Sequence, residues 1–374
     1  MKKFLSLLVV VALLIGAIGC GNNKAPVADP TPDAPVVDSP AVVDPTPEPE
    51  PETPAYEYLS IYSAMPEIEL PSYIAAFEAD TGITVKWVRL SAGEMLTRIE
   101  AENANPLVSV MHGGPSDTYV SAVGKGLLAQ YQPAGVADAP AAYTDEAGYW
   151  SPIYVGAIGF ACNTDWFEEH KVDYPTSWAD LLKPEYKGEI SMAHPTTSGT
   201  AYTVLATIMQ LYGDDRAAAW EYMKGFNANV RQYTKSGGAA PQQAAFGEVA
   251  IALTFAHDAL VHANNGYPIK MIFPSEGTGY EVGAVALLEN GIPEEQENAK
   301  IFIEWCMTAR AQEMYIENES NRLPTNVNAK VTEGLTLLSE LKIIDYDAVW
   351  AGENKTALNE EFMAMVDNAE NLFQ

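Results

Sequence analysis

Between Tyr58 and Met111 the chain alternates short β-rich runs with segments of helical spacing, and this alternation constrains the fold more than any other feature. Tyr58-Leu59-Ser60-Ile61-Tyr62 reads as a strand, Leu70 to Ala79 as a helix, Ile83 to Leu90 as a strand, Ser91 to Ala104 as a helix and Leu107 to Met111 as a strand. Such an order predicts a parallel sheet covered by helices. In sheets of this kind a ligand sits beyond the carboxyl ends of the strands, where the loops after Tyr62 and after Met111 fall.

Small and hydroxyl residues collect at the same kind of position further on. His194 to Thr200, His-Pro-Thr-Thr-Ser-Gly-Thr, leads directly into the apolar run Tyr202 to Tyr212. Free N–H groups, hydroxyls and the positive end of the helix dipole converge there, so the stretch reads either as an anion cradle or as an ordinary N-cap. Lys235-Ser236-Gly237-Gly238-Ala239 is a second small-residue turn before a helix. Gly113-Gly114-Pro115-Ser116 follows the third strand, with Ser116 placed to cap a helix starting near Asp117. Pro175 to Leu182 reads as a short capped helix. Tyr149 to Cys162 is a Gly-punctuated strand, with a crossing between two lobes expected near Tyr154–Gly156. Val249 to Phe255 is a buried strand that delivers His257-Asp258, and Ile269 to Phe273 is the next strand; Glu276 to Glu281 then leads into Val282–Leu288. On its own, His257 reads as a core histidine partnered by Asp258. Helical spacing of Ala299, Phe302, Ile303 and Cys306 marks core packing, and Trp350 and Phe362 are expected to pack on the second lobe.

The first 20 residues carry Lys2 and Lys3, an apolar run from Phe4 to Ile18, and Gly19-Cys20, the pattern of an export signal too short to span as a permanent helix. Ala17-Ile18-Gly19-Cys20 resembles a lipobox, with Ala17 where Leu is usual, which makes Cys20 the lipidation site. Residues 21–56 contain ten prolines among acidic and small residues and no periodic apolar face, so they read as a disordered tether. A net charge of −29 without a basic stretch argues against nucleic acid and anionic membranes as partners. Besides Cys20 there are only Cys162 and Cys306, both in apolar surroundings, which reads as buried hydrophobes and excludes a disulfide framework.

The ordered set Ser63-Ala64, Gly-Gly-Pro-Ser, Pro-Thr-Thr-Ser-Gly-Thr, Ser-Gly-Gly-Ala, Phe-Ala-His-Asp, Gly-Ala-Val-Ala-Leu-Leu and Asn321-Arg322-Leu323-Pro324-Thr325 resembles the extracellular solute-binding proteins of ABC importers. Within them it resembles the ferric-iron-type branch whose members bind sugar phosphates and other phosphorylated metabolites. The resemblance implies a two-lobe α/β fold, the type II or Venus-flytrap periplasmic binding protein with crossing hinge strands. It places lobe I at 57–155 and 280–328 and lobe II at 156–279 and 329–374. It implies a monomeric carrier rather than an enzyme, with no cofactor and no metal. Anchored by its lipid at the outer face of the cytoplasmic membrane, the carrier captures a phosphorylated ligand and passes it to the transmembrane subunits of a permease. The phosphate end is expected at Ser63, Gly114, Ser116, Thr197, Ser198, Gly199, Thr200, Ser236 and Gly237. His257, Asp258 and Glu281 are expected to meet hydroxyls, the last two as negative acceptors.

Two other readings make different demands. A ferric carrier calls for hard oxygen ligands, and the adjacent tyrosine pair of ferric-binding relatives has no counterpart, since no Tyr-Tyr occurs in the chain. Zinc on His257 and His262 fails because a five-residue helical step turns the side chains about 140° apart. An exported hydrolase calls for a nucleophile on a strained turn, and no Gly-x-Ser-x-Gly is present.

Overall fold

The computed structural model describes residues 56–368; the export signal, Cys20 and the tether lie outside the described residues. Among the described residues no helix is long and apolar enough to cross a membrane. Strands β1 (Tyr58–Ser63), β2 (Thr84–Arg89) and β3 (Val110–Pro115) pair in parallel in the order β2-β1-β3, with helices Leu70–Thr81 and Ala92–Glu102 as crossovers. Strand β4 (Ser151–Asn163) then runs for 13 residues, every one of them buried. The second lobe follows with β5 (Ile190–Ala193), β6 (Val230–Thr234), β7 (Ile251–Phe255) and β8 (Ile269–Ile272), after which β9 (Tyr280–Leu287) and the short β10 (Leu323–Pro324) return to the first.

The partner lists of β4 define the hinge. From Ser151 to Ala157 it pairs with β9 of the first lobe, and from Ile158 onward with β7 and β8 of the second. The crossing therefore falls between Ala157 and Ile158, just beyond Tyr154–Gly156, and Ile158 N–H donates to Gly279 O at 3.0 Å on the returning chain. The expected parallel pairing holds for β1–β3 and for β6-β5-β7. It gives way to antiparallel pairing at β3-β9, β9-β4 and β4-β7. These strands are joined by hinge passages rather than by a single covering helix, so direction is not forced to repeat. The expected helix at Pro175–Leu182 shrinks to a 3-10 turn, Ala179–Leu182. The Asp180 carboxylate turns back to accept from Thr176 N–H at 2.8 Å and holds the preceding residues out of the helix.

Each lobe has its own apolar core. Tyr73, Phe77, Phe302 and Tyr315 fill one under the first sheet, while Phe160, Tyr186, Tyr202, Phe226 and Phe255 fill the other. Helix Lys355–Asn368 adds Leu358 and Phe362 to the second core, and Trp350 packs against it. Cys162 and Cys306 are buried free thiols whose pKa values burial pushes up, that of Cys306 to about 12.

The same C-terminal segment ties back to the first lobe through a buried ion pair. Asp117, in the first turn of helix Ser116–Gly124, receives Lys355 Nζ at 2.8 Å, and both side chains are almost wholly buried. The ammonium also lies 3.6 Å from the ring centre of Tyr202, and Thr203 and Tyr346 donate their hydroxyls to the other carboxylate oxygen at 3.3 Å. Removing one charge strands the other in a dry site, which costs about 3–5 kcal/mol, whereas removing both avoids that penalty. Lys355→Ala and Asp117→Asn are each expected to lower stability by about that amount, and Asp117→Asn with Lys355→Met by less than either. Equilibrium urea unfolding checks this; a double variant as unstable as the sum of the singles excludes the pair as the cause.

Candidate functional site

A cavity of about 300 Å³ lies between the lobes. Its first-lobe wall is made by the loop after β1 (Ala64, Pro66, Glu67, Ile68), by Arg89 and Ser91 at the end of β2, and by Gly114-Pro115 at the end of β3. The second lobe contributes Ser198–Thr200, Ser236–Ala239 and Phe255 to Asp258, and the hinge contributes Tyr154, Glu281 and Arg322. All the first-lobe pieces are carboxyl ends of parallel strands, as the sheet order requires. Gly114 takes φ +83°, and a Cβ there would lie 2.9 Å from that of Ala92, so only glycine lets β3 approach the next helix this closely.

Of the residues singled out from the sequence, Gly114, Ser198, Gly199, Thr200, Ser236, Gly237, His257, Asp258 and Glu281 come together on this wall. Ser63, Ser116 and Thr197 lie off it. Ser63 is wholly buried, paired with His112 Nδ1 at 3.0 Å and accepting from Met65 N–H, so it shapes the loop from behind. Ser116 is the first residue of its helix rather than the cap, because Pro115 holds the extended cap conformation, φ −67° and ψ 146°. Thr197 gives its hydroxyl to Lys235 O at 2.9 Å. At Ser198 both sequence readings hold together, since its Oγ accepts from Ala201 N–H at 3.4 Å as an N-cap while the residue lines the cavity.

The polar floor is built around Arg322, which the sequence reading gave no role. Its guanidinium is buried, pairs with Glu69 of the first lobe, lies 3.8 Å from Asp258 Oδ1 of the second, and sits 5.0 Å from the ring centre of Tyr154. Beside it, His257 Nε2 is 3.5 Å from Glu281 Oε1 and 3.7 Å from Asp258 Oδ1, beyond ordinary hydrogen-bond length. His257 Nδ1 and Arg322 Nε are buried without a hydrogen-bond partner. Burial raises Glu281 well above the usual carboxylate range, holds His257 well below its ordinary value, and lifts Asp258 to about 6. Burial thus favours the protonated carboxyl at Glu281 and the uncharged imidazole at His257. The Asp258 carboxylate shares the Arg322 guanidinium with Glu69.

Arg89 is the second residue missed. It is partly buried at the end of β2, with only long contacts, Nε to Met65 O and Nη1 to Ser91 Oγ, both 3.4 Å, and no carboxylate within salt-bridge reach. Ser91 Oγ in turn meets Lys235 O, which places Arg89 at the Ser236 turn. Its sequence signal was its place at the carboxyl end of a parallel strand. Arg322 stood inside a quoted motif, but only the fold brings its partners, 253 residues away in the case of Glu69, to its side.

Residues 116–350 match the model of the bacterial extracellular solute-binding proteins. A Haemophilus influenzae protein, itself uncharacterized, is 33% identical over 316 residues, covering 82% of this chain and 90% of its own length. A Salmonella typhimurium protein named for binding 2-aminoethylphosphonate is 26% identical over 63% of this chain and 68% of its own. Among solved structures, the periplasmic binding protein AfuA of Actinobacillus pleuropneumoniae, with fructose 6-phosphate bound, superposes with a TM-score of 0.80 at 32% identity, covering 83% of this chain and 99% of that one.

The floor makes a prediction with a definite sign. A carboxyl group whose pKa is raised on folding adds most stability below its unfolded value, here 4.5 for Glu281, and that contribution is lost as pH rises through the raised value. Glu281→Gln keeps the shape and removes the ionisation. Its stability relative to the native protein is expected to be level in acid and to gain steadily as the pH rises above 4.5. Melting temperatures of both proteins from pH 4 to pH 9 check this, and a constant offset at every pH counts against a neutral Glu281.

Proposed function

The chain belongs to the bacterial extracellular solute-binding proteins, and from that premise we propose that its solute is a sugar phosphate, gripped by phosphate at one corner of the cleft and by hydroxyls on the floor. It is the solute-binding component of an ABC importer. One observation carries the choice of solute: in a chain of net charge −29, the cleft holds a guanidinium with no carboxylate within salt-bridge reach, Arg89, at the edge of the Ser236 turn. A half-buried cation of this kind suits a phosphate, and Ser198, Gly199, Thr200, Ser236 and Gly237 offer hydroxyls and backbone amides around it.

The floor supports hydroxyls over an ammonium group. An ammonium is best met by an uncompensated carboxylate, whereas burial favours the protonated form of Glu281 and the Arg322 guanidinium already lies 3.8 Å from Asp258. The unpartnered His257 Nδ1 and Arg322 Nε fit a ring of hydroxyls, each able both to give and to accept. The same floor disfavours ferric ion. A fixed guanidinium stands between the carboxylates that would have to hold the metal, and among the described residues no three His, Cys, Asp or Glu side chains gather as a metal-holding set. The cavity's volume, at the lower end for small-molecule sites, accommodates a monosaccharide phosphate. In this reading the protein is a monomer that captures and delivers without converting, tethered by lipidated Cys20 to the outer face of the cytoplasmic membrane. Its partner there is the transmembrane part of the permease.

Calorimetry of two proteins against two ligands tests the assignment. Arg89→Met is expected to weaken fructose 6-phosphate by about 1.5–3 kcal/mol, the worth of a hydrogen bond to a charged group, and to leave the much weaker binding of fructose unchanged. Equal losses for both ligands would remove Arg89 from the phosphate site. Tighter binding of 2-aminoethylphosphonate than of the sugar phosphate would replace the hydroxyl reading by an amine one. Sugar phosphate recovered chemically altered would make the protein an enzyme.

A further inference from the structure

Outside the cavity, at its rim, one helix end is occupied in an unusual way. Helix Ala92–Glu102 of the first lobe begins beside the cleft, where its first amides have no partner within the helix. Here Gly93 N–H and Glu94 N–H both donate to Thr197 O of the second lobe, at 3.0 and 3.3 Å. The side chains around them form a second layer of the same contact. Glu94 Oε1 receives Lys235 Nζ from the second lobe at 2.7 Å, and the Lys235 carbonyl accepts from Thr197 Oγ1 at 2.9 Å within its own lobe and from Ser91 Oγ at 3.4 Å across the seam. Neither Glu94 nor Lys235 lines the cavity.

We propose that this seam is a latch: the amino end of the Ala92–Glu102 helix and the Glu94–Lys235 ion pair form their contacts only when the lobes close, and they set how long a captured solute stays. Two features support a device built for transient contact. The first is Gly93. A Cβ there would overlap Thr196 O and lie 2.9 Å from Thr197 O, so the two backbones meet at a distance only glycine permits, although alanine would suit the helix of the open lobe better. The second is exposure. Lys235 keeps 75% of its side chain in water, so the ion pair is screened, adds little to fold stability and exchanges readily for solvent on opening. Backbone amides and a carbonyl likewise trade one partner for water at small net change, which lets the latch release. The inference stands whatever solute the cleft takes, since every group in it belongs to the protein.

Interlobe distance read by single-molecule fluorescence, with labels at the exposed positions Asn105 and Glu185, tests the latch with and without fructose 6-phosphate. Gly93→Ala is expected to fold normally by circular dichroism, to remain in the open distance population in both conditions, and to lose at least about tenfold in affinity, as a binding-competent state that is rarely populated requires. Lys235→Met is expected to close but to release the probe about two- to fivefold faster, a difference that disappears near 1 M salt, where the Debye length is about 3 Å. Gly93→Ala reaching the native closed population, or Lys235→Met releasing at the native rate in low salt, overturns the proposal. If the native protein ignores fructose 6-phosphate while Gly93→Ala still depletes its ligand-free closed population, the solute assignment fails and the latch stands.

Discussion

The cleft exists because β4 changes partners without ending. A strand that pairs with β9 up to Ala157 and with β7 from Ile158 keeps a sheet partner on each side of the passage between lobes. The constraint reaches into the site. Tyr154 on one side of the passage, Phe255 at the end of the strand it meets, and His257 and Asp258 in the helix that follows are brought to the cavity by this registry, and Glu281 arrives through the returning strand paired to Gly156.

Charge in the cleft is arranged by burial more than by count. The chain carries a large excess of carboxylates, yet on the floor of the cavity burial favours the protonated form of Glu281 and the Arg322 guanidinium lies between Glu69 and Asp258. An acidic surface then serves solubility without repelling an anion from within. Removing the guanidinium would leave Glu69 and Asp258 facing each other across the lobes, and the repulsion would act on the hinge as well as on the ligand.

Much of this could be read from the residues and some could not. The alternation from Tyr58 to Met111 predicted the first three strands, though the third runs on from Val110 through Pro115, and nine of the expected residues meet around the cavity from strand ends, helix starts and the returning strand. Ser63, Ser116 and Thr197 carry the same local signal but point elsewhere, and only tertiary neighbours such as His112 and Lys235 decide that. The burial that raises Glu281 was out of reach, since an isolated glutamate gives no sign of its desolvation. Arg322 and Arg89 depend on partners, or on the lack of one, that lie far along the chain. Antiparallel pairing at the hinge escaped for a related reason: strand spacing reveals period, not the direction from which a distant segment returns.

The Asp117–Lys355 pair has a consequence in time as well as in energy. Its members are 238 residues apart, so their meeting requires both lobes to be largely assembled. Contacts of such separation form late, after the entropy of ordering the intervening chain has been spent on nearer ones. A late contact stabilises the native state without stabilising the folding transition state, and its loss speeds unfolding while leaving folding nearly as fast. The buried lysine thus acts as a kinetic lock, lengthening the life of a molecule that must open and close many times without coming apart.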